Sequence, residues 1–371
     1  MIKLIRKLSK GDYFMEPYVP NLMPIEYKID KELLKIISEA NEKYGEYKSL
    51  LKSLEFDPSL FLNSLILNES YKSTQIEGTQ ISQDEIYYIK YMEVNDDNKE
   101  IQNLKRVISY AYDCIKENHQ EINFEFVNTM HKMLLDSVRG SLKSPGQIRT
   151  TQNWIGPRGC TIENATFVPP SPEQVYGLLS NLYEYMNNNF IDPLLINIAI
   201  SHAQFETIHA YKDGNGRLGR ALIPIQLSSL ENAEPILYMS EIFELYKPSY
   251  QRNLMEYRKG NIVGYIKFFL QCIIDQCTSY IYKINKIKEI YKNDIEKIKE
   301  FKGNAIYQLM PIITKQVVFT RQELIDFSGL SPNAVVRALK QLLDANIIIK
   351  DDSFRKKGYK YKEIYDVFIS A

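Results

Sequence analysis

Apolar residues recur every three or four positions along most of this chain, which is the spacing of one face of an α-helix. The spacing is clear in DKELLKIISEANEKY (30–44), in DPSLFLNSLILNESYKSTQIEG (57–78) and in SPEQVYGLLSNLYEYM (171–186). The segment DPLLINIAISHAQFETIHA (192–210) is apolar nearly all round, which predicts a buried central helix. The pattern therefore predicts a mainly α-helical fold.

One internal segment departs from helical spacing. PGQIRTTQNWIGPRGCTIENATFVPPSPEQV (145–175) combines β-branched residues with turn formers and holds the only tryptophan of the chain. Such a composition predicts a β-hairpin with its flanking loops.

The last third of the chain changes character twice. A long amphipathic helix is predicted from about 260 to 300, and the final residues predict three helices and then two strands, IIIKDD (347–352) and KYKEIYDVFI (360–369). This is the order of a winged helix-turn-helix, with KDDSFRKKGYKYK (350–362) as its wing. We therefore expect four units: an N-terminal helical region at 1–100, a central domain at 101–275, a helical connector at 276–300 and the winged helix at 301–371.

Overall charge gives no reason to expect chain-wide binding to nucleic acid or membranes, because 46 Lys and Arg balance 46 Asp and Glu among the 371 residues. Residues 301–371 hold eleven basic and seven acidic residues, a local positive excess. The start, MIKLIRKLSKGDYF (1–14), lacks an apolar segment of signal-peptide length, and no stretch reaches membrane-spanning length without charge. Four cysteines without CxxC spacing favour neither disulfides nor zinc, so we expect a cytoplasmic protein.

Candidate chemistry is concentrated in HAYKDGNGRLGR (209–220). Glycines at the start of a helix leave backbone N–H groups free, and the positive end of the helix dipole favours an anion there. Arg217 and Arg220 lie three positions apart, so both guanidinium groups project from one face. Two guanidinium groups, each able to form paired hydrogen bonds, beside free backbone N–H groups suit a polyphosphate better than a single carboxylate.

Two further residues of this segment suit phosphate chemistry. Asp213 offers one hard oxygen to Mg²⁺, which usually takes one or two carboxylates together with substrate phosphates. His209 can accept a proton near neutrality. The set indicates phosphate-ester chemistry with an activated hydroxyl, the alternative being a plain helix–loop–helix with a satisfied histidine and surface arginines.

The stretch closely resembles the Fic-domain signature His-Pro-Phe-x-Asp-Gly-Asn-Gly-Arg-x-x-Arg, from which it departs only at Ala210 and Tyr211. The resemblance implies that His209 is the general base for a Ser, Thr or Tyr hydroxyl and that Asp213 holds Mg²⁺. It further implies an ATP phosphate site formed by the following residues of the motif: Gly214, Asn215, Gly216, Arg217 and Arg220.

The family reaction transfers AMP from ATP to a protein hydroxyl and releases pyrophosphate. A sister group with lysine in place of the second motif glycine phosphorylates its target instead, and this chain keeps Gly216, which favours AMP transfer.

A second resemblance lies in KSTQIEGTQIS (72–82), where Ser73, Glu77 and Gly78 match the inhibitory pattern [Ser/Thr]-x-x-x-Glu-[Gly/Asn] of the family. On this basis Glu77 pairs with Arg220 and withdraws it from the γ-phosphate, leaving ATP in a non-productive pose. The alternative is a capped core helix.

Three weaker expectations complete the site. The segments GQIRTTQNWIG (146–156) and ATFVPPSPEQV (165–175) resemble the family flap, which would hold an extended target peptide by strand addition. Tyr250, in PSYQRNLMEYRKGN (248–261), is expected near the adenine, with a core or surface position as the alternative. His131 and His202 are expected to have core or interhelical roles; we expect His119 on the surface.

The sequence thus predicts a self-inhibited protein adenylyltransferase that uses Mg·ATP. Two alternatives remain: a DNA-binding regulator whose Fic site senses nucleotide, and an enzyme that removes AMP, with Glu77 orienting water. Asn333, Arg337 and Lys340 lie on the polar side of the third C-terminal helix, which is expected to contact DNA or else to dock a protein or form a homodimer.

Overall fold

The computed structural model describes residues 5–7, 13–54, 57–157, 159–188, 191–351 and 358–369. Helices dominate this part of the chain, as the sequence predicts. Their bounds are α1 Lys31–Lys52, α2 Ser59–Ile76, α3 Asp96–Asn118, α4 Phe124–Leu134, α5 Pro172–Met186, α6 Leu194–Ile208, α7 Asn215–Glu231, α8 Ser240–Leu245, α9 Lys247–Arg258, α10 Ile262–Ile298, α11 Ala305–Gln316, α12 Arg321–Ser328, α13 Pro332–Asp344 and α14 Lys362–Ile369. Three 3₁₀ helices cover Asp84–Tyr91, Arg139–Leu142 and Ile162–Asn164.

The centre of the molecule is α6, whose residues after Leu194 are all buried. It packs against α5, α7, α9 and α10, which explains why the segment is apolar nearly all round. This confirms the predicted central helix. The loop at 209–214 then connects α6 to α7, which also packs against α3.

The long helix α10 confirms the amphipathic helix expected between 260 and 300. It lies along α1, and the rings of Tyr47 and Tyr280 meet at 5.4 Å between centroids. The expected unit boundaries at 100 and 275 fall inside α3 and α10, so both helices continue across them.

The C-terminal region forms a three-stranded antiparallel sheet with the order β3 (Val318–Thr320), β5 (Gly358–Lys360), β4 (Ile349–Asp351). The strand predicted at 360–369 is wrong, because β5 ends at Lys360 and α14 follows. Apolar residues at 361, 364, 365 and 368 have helical spacing and are all buried. Phe368 packs against Phe61 of α2 at 5.8 Å. Residues 352–357 of the predicted wing lie outside the described residues.

Among the described residues of 145–175, the predicted β-hairpin is reduced to one antiparallel bridge, Ile155 to Phe167. Pro157, Pro169 and Pro170 lack an N–H group, so a longer ladder cannot form around that bridge. A second difference concerns the N-terminal lead, where β1 (Ile5–Lys7) and β2 (Tyr13–Met15) pair antiparallel.

None of the described helices combines the length and apolar character of a membrane-spanning segment. All four cysteines are free thiols, and Cys272 and Cys277 are buried.

Candidate active site

The loop between α6 and α7 begins at His209, which caps α6 in the left-handed conformation with φ +48°. Few residues other than glycine adopt this conformation, and those that do often lie at functional sites. The His209 carbonyl accepts hydrogen bonds from Arg149 Nε at 2.9 Å and from Asn153 Nδ2 at 3.1 Å. Two flap residues thereby fix the backbone that carries the imidazole.

Asn215 closes the loop from the other side. Its Oδ1 accepts from the Tyr211 N–H at 2.8 Å, and its Nδ2 donates to the Tyr211 carbonyl at 2.8 Å. The Asn215 side chain therefore holds the loop together, and its backbone N–H lies in the first turn of α7, where the phosphate cradle is expected.

Tyr211, one of the two departures from the signature, is fully buried. Its hydroxyl donates to Asn128 Oδ1 at 2.7 Å, and its ring stacks on His131 at 3.9 Å. His131 also contacts the Asp213 carbonyl through Nε2 at 2.9 Å. The tyrosine therefore fits the loop, and the predicted core role of His131 is confirmed.

The His209 side chain is partly exposed, although its Nδ1 is buried and lacks a hydrogen bond of regular geometry in the described part of the chain. Loss of water around the ring, followed by the positive charge of Arg258, lowers the pKa of His209 to about 3. The imidazole is therefore neutral at physiological pH, as a proton acceptor must be.

Two buried arginines lie in the first turns of α7, close to the positive end of its dipole. A cation there is unfavourable without a neighbouring anion. Arg217 lies 3.2 Å from Glu100 Oε2 and 3.2 Å from Asp213 Oδ1. The helix start thus already attracts carboxylates, which indicates a strong preference for negative charge.

The expected contact between Arg220 and Glu77 is present. Arg220 Nη2 lies 2.7 Å from Glu77 Oε1, and Arg220 also donates to Ser73 through Nε to Oγ and Nη2 to O, both at 2.9 Å. The guanidinium is 2% exposed, whereas the Glu77 side chain is 43% exposed. Removal of water would raise the pKa of Glu77, but the charge and hydrogen bond of Arg220 outweigh this effect and the pKa is lowered.

Glu77 is positioned by the end of α2, where it is the C-cap residue and Gly78 follows with φ +101°. The side chain reaches over the start of α7, so that a Cβ atom at Gly216 would lie 2.3 Å from Glu77 Oε1. Gly216 therefore leaves the space that the carboxylate fills at the first turn of α7, next to Arg220.

Asp213 is the one candidate metal ligand of this segment. Its Oδ1 accepts from the Gly214 N–H at 2.6 Å, and its side chain is 40% exposed. No group of three or more His, Cys, Asp or Glu side chains able to hold a metal occurs among the described residues. A partly exposed single carboxylate fits Mg²⁺ that takes its remaining ligands from phosphates and water.

Tyr250 lies in the core and is 3% exposed. Its ring stacks on Phe243 at 4.4 Å, and its hydroxyl contacts His202 Nε2 at 2.8 Å. The core position named as the alternative is what the structure shows, so contact with an adenine would require this ring to leave its stack. His202 is likewise buried, as expected, and His119 is exposed, as expected.

Sequence reasoning missed four residues of the site: Glu100, Arg149, Asn153 and Arg258. Glu100 comes from α3, Arg149 and Asn153 from the flap, and Arg258 from the end of α9, where its guanidinium lies 4.0 Å from the Phe167 ring centroid. None belongs to a local pattern around residues 209–220. The one sequence signal that could have pointed to these four residues is that all four are polar or charged.

Two family models match this chain. The model described as Fic/DOC family matches residues 121–227, and the model described as Fic/DOC family N-terminal matches residues 34–113. Together they cover about half of the chain and include the loop at 209–214, both arginines and the segment with Glu77. The chain belongs to the Fic/DOC family.

Curated relatives are similar at low identity. Protein adenylyltransferase fic-1 of Caenorhabditis elegans is 24% identical over 247 residues, which are 63% of this chain and 45% of that protein. A probable protein adenylyltransferase of Aquifex aeolicus is 24% identical over 225 residues, which are 56% of this chain and 65% of that protein. The chain thus spans less than half the length of the first of these relatives.

Solved structures support the fold. A Fic family protein from Desulfovibrio desulfuricans G20 aligns with a TM-score of 0.58 at 17% identity, over 91% of this chain and 97% of that one. Fic-1 (residues 134–508) from C. elegans aligns with a TM-score of 0.54 at 16% identity, over 68% of this chain and 73% of that one. The mainly α Fic fold is therefore confirmed.

Proposed function

We propose that this chain transfers AMP from ATP to a Ser, Thr or Tyr hydroxyl of a protein, and that Glu77 inhibits the reaction. One observation carries the proposal: a neutral imidazole, a carboxylate and two buried guanidinium groups meet at the start of a single helix, α7. The family membership and the adenylyltransferase names of the relatives point in the same direction.

In the proposed reaction the target hydroxyl gives its proton to His209 while its oxygen attacks the α-phosphorus. The bond between that phosphorus and the oxygen bridging to the β-phosphate breaks, and pyrophosphate leaves. Arg217 and Arg220 would bind the phosphates, together with the backbone N–H groups at the start of α7. Asp213 would supply one ligand to Mg²⁺, which when bound offsets phosphate charge.

Self-inhibition follows from competition between negative groups. In this structure Nε and Nη2 of Arg220 donate hydrogen bonds to Ser73 and Glu77. A γ-phosphate that needs the same guanidinium must displace Glu77 or bind elsewhere. ATP held away from Arg220 would present its α-phosphate in the wrong place, which slows transfer even when nucleotide is bound.

The flap is proposed to hold the target peptide. Its first residues bind the His209 carbonyl, so a peptide along the flap would run beside the imidazole. Trp154 is 42% exposed and offers an apolar contact for such a peptide.

The four free thiols support the proposal of a reducing compartment such as the cytoplasm.

The test uses the Glu77→Gly form with Mg²⁺ and ATP labelled at either the α- or the γ-phosphate. We expect the α-label on the chain itself or on a protein of a cell extract, with a mass gain of one AMP, and no label after the further change His209→Ala. Transfer of the γ-label instead would identify a kinase reaction, and transfer of neither label would contradict the proposal. Release of AMP from a pre-modified protein would favour the reverse activity.

A second function is proposed for the C-terminal region because Asn333, Arg337 and Lys340 of α13 are all exposed. Three such side chains on one helix suit contact with the DNA backbone and bases. Retention of a DNA duplex that weakens with rising salt, and that persists after His209→Ala, would support it. A concentration-dependent mass without DNA retention would favour a homodimer through this region instead.

A further inference from the structure

A cavity of about 190 Å³ lies between α2, the 3₁₀ helix Asp84–Tyr91, α3 and α11. None of its lining residues belongs to the site around His209. On α2 the lining residue nearest to Glu77 is Leu67, ten positions earlier, which places it about 15 Å away along the helix. The cavity is therefore separate from the proposed catalytic centre.

Three lysines line this cavity: Lys90, Lys105 and Lys315. Lys90 is paired, because its Nζ lies 2.9 Å from Glu323 Oε1. Lys105 and Lys315 form no ion pair or hydrogen bond with any residue that the structure describes. Limited access of water, followed by the charges of Lys90 and Lys315, lowers the pKa of Lys105. Lys105 and Lys315 both keep a large solvent-exposed area where they line the cavity, and the charge of Lys315 also interacts with Asp57 and Glu234. The two ammonium groups are therefore accessible to an anionic ligand that enters the cavity from solvent.

A buried polar group points to the same place. Tyr87, which lines the cavity, is 5% exposed, and its hydroxyl has no hydrogen bond of regular geometry in the described part of the chain. The hydroxyl interacts with the side chain of Ser64, which also lines the cavity, and keeps hydrogen-bonding capacity that a ligand can use. The side chains of Asn63, Gln102 and Gln316 add further hydrogen-bonding groups to the walls.

The remaining walls are apolar and are formed by Leu67, Ile86, Ile89 and Ile101. An apolar cavity of about 150 Å³ accommodates a benzene ring. The space is therefore large enough for one ring and an attached charged group. We propose that this cavity binds a small organic anion that joins a phosphate or carboxylate group, held by Lys105 and Lys315, to an apolar body.

Binding is tested by calorimetry on the full chain with phenyl phosphate as the probe, inorganic phosphate as the charged group alone and benzyl alcohol as a neutral analogue. The test variant carries Lys105→Gln and Lys315→Gln. A matched control carries Lys116→Gln and Lys292→Gln, which removes the same charge from exposed positions outside the cavity. Thermal unfolding of both variants checks that they fold.

We expect phenyl phosphate to bind the parent and the control equally, and to bind the test variant about tenfold more weakly for each lysine removed. Inorganic phosphate and benzyl alcohol should each bind more weakly than the joined probe. Equal binding to the parent and the test variant would overturn the proposal, because it would place the probe elsewhere, including at the nucleotide site. Absence of binding to the parent, or equal binding of benzyl alcohol, would overturn it as well.

The inference does not depend on AMP transfer. Calorimetry measures binding of the probe whether or not the chain is an enzyme. Absence of binding in the cavity would therefore leave the proposed AMP transfer intact, and absence of AMP transfer would leave the proposed binding intact.

Discussion

Replacement of Glu77 by glycine is the perturbation that separates an inhibitory role from a structural one. Glu77 is the C-cap residue of α2 and its side chain is partly exposed, so its removal disturbs little packing. The change leaves Arg220 with its two hydrogen bonds to Ser73 and with room for a phosphate. We expect AMP transfer to rise.

The size of the rise follows from the geometry of the pair. A hydrogen bond to a charged group contributes about 1.5–3 kcal/mol when buried, and an exposed ion pair contributes less than about 1 kcal/mol. The Glu77–Arg220 pair has one partner 2% exposed and one 43% exposed, so a value between these limits applies. An energy of about 1–2 kcal/mol corresponds to roughly a 5–30-fold gain. A complete switch would need about 5.5 kcal/mol, so the parent chain should keep measurable activity.

The assay is the initial rate of α-label transfer at saturating Mg·ATP for the parent, Glu77→Gly and Glu77→Gln. The glutamine keeps the shape and loses the charge, so it should recover part of the gain. Glu42→Gly introduces glycine at an exposed position of α1 and controls for a general loosening of helices.

Equal rates for the parent and Glu77→Gly, both above the His209→Ala background, would refute inhibition while leaving AMP transfer intact. A similar gain in Glu42→Gly would attribute the effect to flexibility and would also refute the reasoning.

The remaining predictions concern the titration of His209, the titration of Glu206 and two residues of the flap. Because the pKa of His209 is about 3, the rate of the Glu77→Gly form measured between pH 5 and 8 should not fall through a titration near 6.5; a tenfold loss centred there would contradict this. Burial raises the pKa of Glu206 from 4.5 to about 7, although the charge of Arg220 opposes the shift. Between these two pH values the folded chain keeps the proton that the unfolded chain has lost. The stability of the fold therefore falls as the pH rises from 4.5 to about 7. The free energy of unfolding in urea should therefore fall between pH 4.5 and pH 8 by up to about 3 kcal/mol more in the parent than in Glu206→Gln. Parallel curves of unfolding free energy against pH for the two proteins would contradict this. Asn153→Ala leaves the carbonyls of His209 and Tyr211 each without one hydrogen-bond donor, so it should lower kcat of the Glu77→Gly form about tenfold. Trp154→Ala should instead raise the KM for the target protein, because it removes a contact proposed for the target peptide.

The residues of the candidate site that could be predicted lie close together in sequence. His209, Asp213 and Arg220 belong to one helix–loop–helix, whose geometry is fixed by local rules for helix ends, and Glu77 was available through a second short pattern. Glu100 and Arg149 could not be predicted, because their role exists only once α3 and the flap lie against the loop. Long-range pairing of single polar residues leaves no periodic signal.

The errors in the fold have similar causes. The segment 360–369 is rich in β-branched and aromatic residues, which favoured a strand. Its apolar spacing is helical, and the resulting helix α14 packs against α10 and places Phe368 on Phe61 of α2. Tyr250 was expected near the adenine, with a core or surface position as the alternative, and its contact with an adenine stays a prediction. The stack on Phe243 that buries it comes from α8, which the sequence does not mark as a partner.

The burial of α2 also determines how inhibition can be released. Phe61, Leu62, Leu65 and Tyr71 of this helix are each at most 3% exposed, and α2 packs against α3, α8 and α11. Exposing one such side chain costs about 1.5–3 kcal/mol, so lifting the helix away would cost several times the energy of the Glu77–Arg220 pair. Rotation of the Glu77 side chain costs only that pair, and 43% of the side chain already faces solvent. Release should therefore occur by movement of this one side chain while Ser73 keeps its contacts with Arg220, so Ser73→Ala should change the rate less than Glu77→Gly does.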